Sequence, residues 1–175
     1  MGQTHPVIAV FDMNIYLNVA RFVGEPYSRS LLHTTLMGQI HQPSPRSTPL
    51  TESAKLVAIS SSGVFAGNQL LQVWTSDWIV KGTQRVAGRD VNLNGLGWSL
   101  PSAQGLVSDL IFGTVVTPSN GLQLPTNKRA KFPGLSPDDS QVLNTALQTK
   151  IANPASEVIC VTNDVGFGTL RLIRM

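Results

Sequence analysis

Three apolar runs in this chain each end on an aspartate: VIAVF before Asp12, LQVWTS before Asp77, and VICVTN before Asp164. Short runs rich in β-branched and aromatic residues, bounded by polar breaks, read as buried strands. Laid parallel in one sheet, their carboxyl ends share an edge, and that edge is where open α/β sheets bind ligands. Acids far apart in the chain would then meet in space. A cluster of carboxylates is suited to holding Mg²⁺ or Mn²⁺.

Helical patterns fill the intervals between the strands. Asn14 to Ala20 has apolar residues at helical spacing, and Ser28–Gly38 places Leu31, Leu32 and Leu36 on one face. A third helix is expected over Thr51–Phe65. Pro43, Pro45 and Pro49 with several Ser and Thr mark a surface loop at about 39–52. A fourth helix should start near Asp77 with Ser76 as its cap, and a fifth with Ser102 as its cap and Leu106, Leu110 and Ile111 inward. Residues 117–135 read as irregular. Ser136-Pro137-Asp138-Asp139 then opens a helix with cap, proline and acidic first turn in the expected order, and Val142, Leu143, Ala146 and Leu147 as its buried face. Thr169–Ile173 reads as a last edge strand. Alternating strands and helices without repeats predict one α/β domain over residues 1–175, a three-layer α/β/α sandwich with a mainly parallel sheet.

Bulk properties narrow the function classes. The 175 residues carry 42% hydrophobic and 13% charged residues, which suits a chain with a sizeable core and argues against disorder. The net charge of +3 permits a polyanionic partner without demanding one. The single cysteine, Cys160, lies in an apolar run and excludes a disulfide framework. No segment reaches a membrane span, and the first apolar run is too short for a signal peptide, so a cytoplasmic protein is expected.

Of the acids, Asp12 and Asp164 are the strongest pair, because each stands just beyond a buried strand. Helix capping is the competing explanation for either one. Asp138 and Asp139 have a capping explanation of their own, since Ser136 and Asp139 stand in capping-box spacing and first-turn acids are favourable by roughly 0.3–1 kcal/mol. Two carboxylates ~5 Å apart repel by about 3 kcal/mol at an effective dielectric of 20. Such a cluster therefore needs a cation, a shared proton or a basic neighbour. His5, His33 and His41 stand at no metal-ligand spacing, so oxygen ligands and a hard cation are expected.

Three segments together resemble the PIN-domain family of metal-dependent nucleases. VIAVFDMNIYL at 7–17 resembles its opening strand with a first metal-binding acid, here Asp12, and a polar residue two places on, Asn14. DSQVLNTA at 139–146 resembles its helix, in which an acid precedes a small residue, here Asp139 and Ala146. VICVTNDVGF at 158–167 resembles its closing strand and threonine–x–aspartate signature, here Thr162 and Asp164. The resemblance implies a five-stranded sheet of order 3-2-1-4-5 and a ribonuclease site. Asp12, Asp139 and Asp164 would bind one or two Mg²⁺ or Mn²⁺ ions, with Asn14 and Thr162 orienting ligands or water. It also implies RNA as substrate and, as for many small members, an antitoxin protein and a homodimer as partners.

One departure stands out. The family places another acid in the helix after the second strand, at a register that falls here on Lys81-Gly82. Asp77, at the start of that helix, is either its replacement in the metal site or a helix cap. Asp90 and Asp109 match nothing and are expected in structural roles. Arg21, Arg85, Arg89, Lys128, Arg129 and Lys131 are candidates to follow a phosphate backbone, against the plainer reading of a solvated basic surface. Trp78 and Trp74 are candidates to stack bases, although Trp74 in a strand is better read as core. Two alternatives remain: a catalytically depleted RNA- or partner-binding module, and a haloacid-dehalogenase-type phosphatase. The latter needs an acid two residues after Asp12 as proton donor, and Asn14 cannot serve.

Overall fold

The computed structural model describes residues 5–41, 46–63, 70–115, 123–124, 131–162 and 172–174. The three apolar runs become neighbouring strands. β1 (Val7–Phe11) lies in the centre, parallel to β2 (Leu71–Ser76) on one side and to β4 (Glu157–Val161) on the other. Val10 stands opposite Trp74 on β2 and Cys160 on β4, and Phe11 stands opposite Val161. Two short segments pair at the margins: β3 (Gln123–Leu124) runs parallel to the end of β2, and β5 (Leu172–Arg174) runs antiparallel to β4. The chain is an α/β protein with a parallel three-stranded centre, as the alternation of elements predicts.

All five residues of β1 are buried. A strand hidden on both faces needs cover on both faces, the usual condition of parallel sheets, and explains why its sequence is a continuous apolar run and not an alternating one. The described residues form six helices, α1 (Met13–Val23), α2 (Arg29–His41), α3 (Pro49–Ser61), α4 (Asp77–Gly88), α5 (Leu100–Gly105) and α6 (Pro137–Ala152), of which α1 and α6 pack directly on β1. α5 runs on into a wider π-helical stretch, Leu106–Val115, with Leu106, Leu110 and Ile111 fully buried as expected. α1, α2 and α3 pack on one another, whereas α6 packs on β4 and β1.

Local sequence accounts for most helix starts, with three corrections. α2 extends through His41 and α3 begins at Pro49, so the loop expected at 39–52 is shorter at both ends. The proline that looked like loop material is the first residue of α3, where its missing N–H costs nothing. Thr48 caps it, exchanging hydrogen bonds with Thr51 in a capping box. α3 ends at Ser61, and the Phe65 expected in it lies outside the described residues. Finally, the cap position of α5 is Ser99, not Ser102. Glu25 secures this start by accepting from the Ser99 amide at 2.9 Å and the Ser99 hydroxyl at 2.8 Å, and those bonds hold its carboxyl below the usual range.

Among the described residues, no helix is long and apolar enough to cross a membrane.

Candidate functional site

β1 delivers Asp12 to the carboxyl edge of the sheet. Its amide continues the ladder by donating to the Val161 carbonyl at 2.9 Å, which sets Asp12 beside Thr162 at the end of β4. The Asp12 backbone occupies the N-cap position of α1, yet its side chain makes no capping hydrogen bond. Instead, Oδ2 accepts from the Thr162 hydroxyl at 2.8 Å and from Asn14 Nδ2 at 3.2 Å. Capping is still part of the role of Asp12, since the Asn14 backbone N–H acts on its carboxyl, but it does not account for the bond from Thr162. Its carboxylate faces the end of β4 as well as the first turn of α1.

Asp12 is 2% exposed, and Thr162 is 1% exposed. Burial pushes the Asp12 carboxyl above its ordinary range. The Thr162 hydroxyl and the Asn14 amides pull the other way, and the Asp139 charge adds to the rise. Cys160, buried on β4 opposite Val10, lies in the same neighbourhood. Its thiol is pushed up to about 12 by burial and then by the charges of both Asp12 and Asp139. The fold thus brings Asp139, remote in sequence, into electrostatic contact with Asp12.

Asp139 reaches this place on the first turn of α6. Ser136 caps the helix, its hydroxyl accepting from the Asp139 amide at 3.1 Å and donating to Asp139 Oδ2 at 2.7 Å. Asp139 is therefore both a partner of the cap and a buried acid, 7% exposed. Asp138 points elsewhere: its Oδ1 accepts from Trp78 Nε1 at 3.1 Å and lies 4.0 Å from Arg85 Nη2. Replacing Ser136 with alanine removes the cap and should cost about 1 kcal/mol. A lower urea midpoint with an unchanged slope is the expected reading.

The inner face of α6 differs from its apolar expectation. Val142 and Ala146 are buried, but Leu143 and Leu147 are only half-buried. Ser140, Gln141, Thr145 and Thr149 occupy the interior with Asp139. Thr145 Oγ1 lies 2.9 Å from Ser76 Oγ, so the end of β2 meets α6 through a hydroxyl pair. Ser76 stands at the cap position of α4 as expected, yet its hydroxyl makes no cap bond. The wall of the site is polar where apolar periodicity alone would make it greasy, and polar groups flanking buried acids lower the cost of burying them.

Asp77 opens α4 and bonds to Lys81 Nζ at 3.2 Å, with its side chain 39% exposed. It lines a pocket of about 290 Å³ with Trp78, Lys81, Gly82 and Arg85. A Cβ on Gly82 would stand 3.2 Å from Met13 Cε, a tight contact with the tip of a flexible side chain. Asp164, Lys128 and Arg129 lie outside the described residues. Among the described residues, no group of three or more His, Cys, Asp or Glu is arranged to hold a metal ion. Trp74 is 7% exposed and belongs to the core, as read from its strand. Asp90 caps a short 3₁₀ turn at Val91–Leu93, and Asp109 accepts from Ser108.

No family model matches the chain, and neither characterised proteins nor solved structures are significantly similar to it.

Proposed function

We propose that the chain is a PIN-like, Mg²⁺- or Mn²⁺-dependent endoribonuclease that hydrolyses RNA phosphodiester bonds. The reading rests chiefly on Asp12. It is a buried carboxylate at the carboxyl end of the central strand, held by Thr162 and Asn14, with Asp139 nearby. In this reading β3 and β5 complete a five-stranded sheet in the order 3-2-1-4-5.

The residues fit a hard cation. No cationic side chain among the described residues pairs with Asp12 or Asp139, although both are buried and they repel one another. Oxygen donors without imidazole or thiolate suit Mg²⁺ or Mn²⁺, since the Cys160 thiol stays protonated. Asp12 and Asp139 would hold the ion, joined by Asp164 on the strength of the threonine–x–aspartate resemblance. When bound, it supplies Lewis-acid polarisation of the phosphate and activation of water for in-line attack.

The chain's own groups do the positioning. Thr162 and Asn14 fix one oxygen of Asp12, and Ser136 fixes one oxygen of Asp139. The N-terminal end of the 16-residue α6 places a partial positive charge beside Asp139.

A depleted, RNA-binding module is the second reading, favoured by Lys81 and Gly82 standing at the register where the family carries another acid. Incubation with a labelled single-stranded RNA separates the two. Internal cleavage in Mn²⁺ or Mg²⁺, stopped by a chelator, is the expected outcome. Tight binding without cleavage under the same conditions would favour the depleted module.

A further inference from the structure

At the first turn of α6, next to Asp139, lies a cleft built around Trp78. This half-buried indole lines the pocket of about 290 Å³ with Asp77, Lys81 and Arg85, and also a second of about 300 Å³. The second is mostly apolar, walled by Phe132, Leu135 and Pro137, with Lys131 at its margin and Ser140 and Gln141 from α6. Both aromatic walls are anchored. Trp78 Nε1 donates to Asp138 at 3.1 Å, and the Phe132 amide donates to Ser140 Oγ at 3.2 Å. Asp138 and Ser140 are the residues immediately before and after Asp139. The cleft is therefore tied to both chain neighbours of a candidate metal-binding acid.

We propose that this cleft is a subsite for one unpaired nucleobase of single-stranded RNA, stacked on Trp78 and Phe132, with the adjoining phosphate held by Arg85 and Lys131. The inference rests on the nuclease reading for its choice of polymer. Aromatic walls suit the faces of an unpaired base, whereas a base inside a duplex has its faces covered by stacking. The basic side chains supply the sequence-independent attraction to phosphate that such channels combine with stacking. Asp77 and Asp138 partly offset the positive charge, so stacking is expected to contribute more than ionic attraction at this place.

The test measures binding in chelator, where cleavage cannot interfere, with a fluorescein-labelled single-stranded RNA and a duplex of the same sequence. Trp78→Ala should weaken single-strand binding about tenfold, within the range for loss of one base–aromatic stack. Trp78→Phe should stay within about threefold of the parent, and duplex binding should be unchanged by either. Photocrosslinking of 4-thiouridine RNA to the unaltered chain gives a readout independent of any variant, with adducts expected on Trp78 or Phe132. Folded Trp78→Ala that binds as tightly as the parent, or adducts confined to other segments, would overturn the subsite. Loss of the stack effect with metal-dependent cleavage intact removes only the subsite. A stack effect without any cleavage removes only the nuclease reading.

Discussion

Asp12→Asn is expected to lower RNA cleavage by about a thousandfold or more while leaving the metal-free fold at least as stable at neutral pH. The activity loss follows from removing a charge that helps hold the cation, an effect of several kcal/mol, and about 4 kcal/mol corresponds to a thousandfold. Stability moves the other way because ionised Asp12 is buried among neutral donors. Both side-chain hydrogen bonds converge on Oδ2, so an amide oxygen in the same place can accept them. The pH dependence has a definite sign. The folded-state carboxyl is raised above its ordinary value of 3.8, so the folded chain holds this proton more tightly than the unfolded chain. Its contribution is full below 3.8 and is lost as pH rises through the folded-state value. Urea midpoints measured across pH in chelator should therefore show the parent falling relative to Asp12→Asn over that window. Parallel curves would contradict the burial of an ionisable acid at this place.

Phe11→Ala should cost about 3–5 kcal/mol, the usual range for truncating a fully buried phenylalanine. Phe11 is 0% exposed on the central strand, and its ring lies 6.0 Å from that of Tyr16, tilted by 52°. Against a typical domain stability of about 5–15 kcal/mol, such a loss brings the chain close to unfolding. The urea midpoint should drop steeply, and a change under about 1 kcal/mol would mean that the strand is not the centre of the core.

What could be read from the sequence followed from signals that act locally. The apolar runs before Asp12 and Asp77 announced β1 and β2, and a cap, proline and acid in succession announced the start of α6. Thr162 and Asn14 stood out by resemblance, and both bond to Asp12. Other features depend on long-range packing and left no local mark. The bond from Trp78 to Asp138 spans the gap between α4 and α6, and the hydroxyl pair of Ser76 and Thr145 joins β2 to α6. Apolar periodicity misjudged α6: Leu143 and Leu147 are half-buried, and Gln141, Thr145 and Thr149 take the interior, with Thr145 meeting Ser76 at the end of β2. The misplaced cap at α5 had a signal that could have found it. Pro101 favours a start just before it, which points to Ser99.

Titration calorimetry with Mn²⁺ addresses most directly whether the fold gathers distant acids into one cation-binding pocket. The parent chain should bind Mn²⁺ saturably, and Asp12→Asn, Asp139→Asn and Asp164→Asn should each weaken that binding by at least about tenfold, as expected for loss of a charged oxygen ligand. No saturable binding at millimolar Mn²⁺, or binding that all three substitutions leave intact, would contradict it.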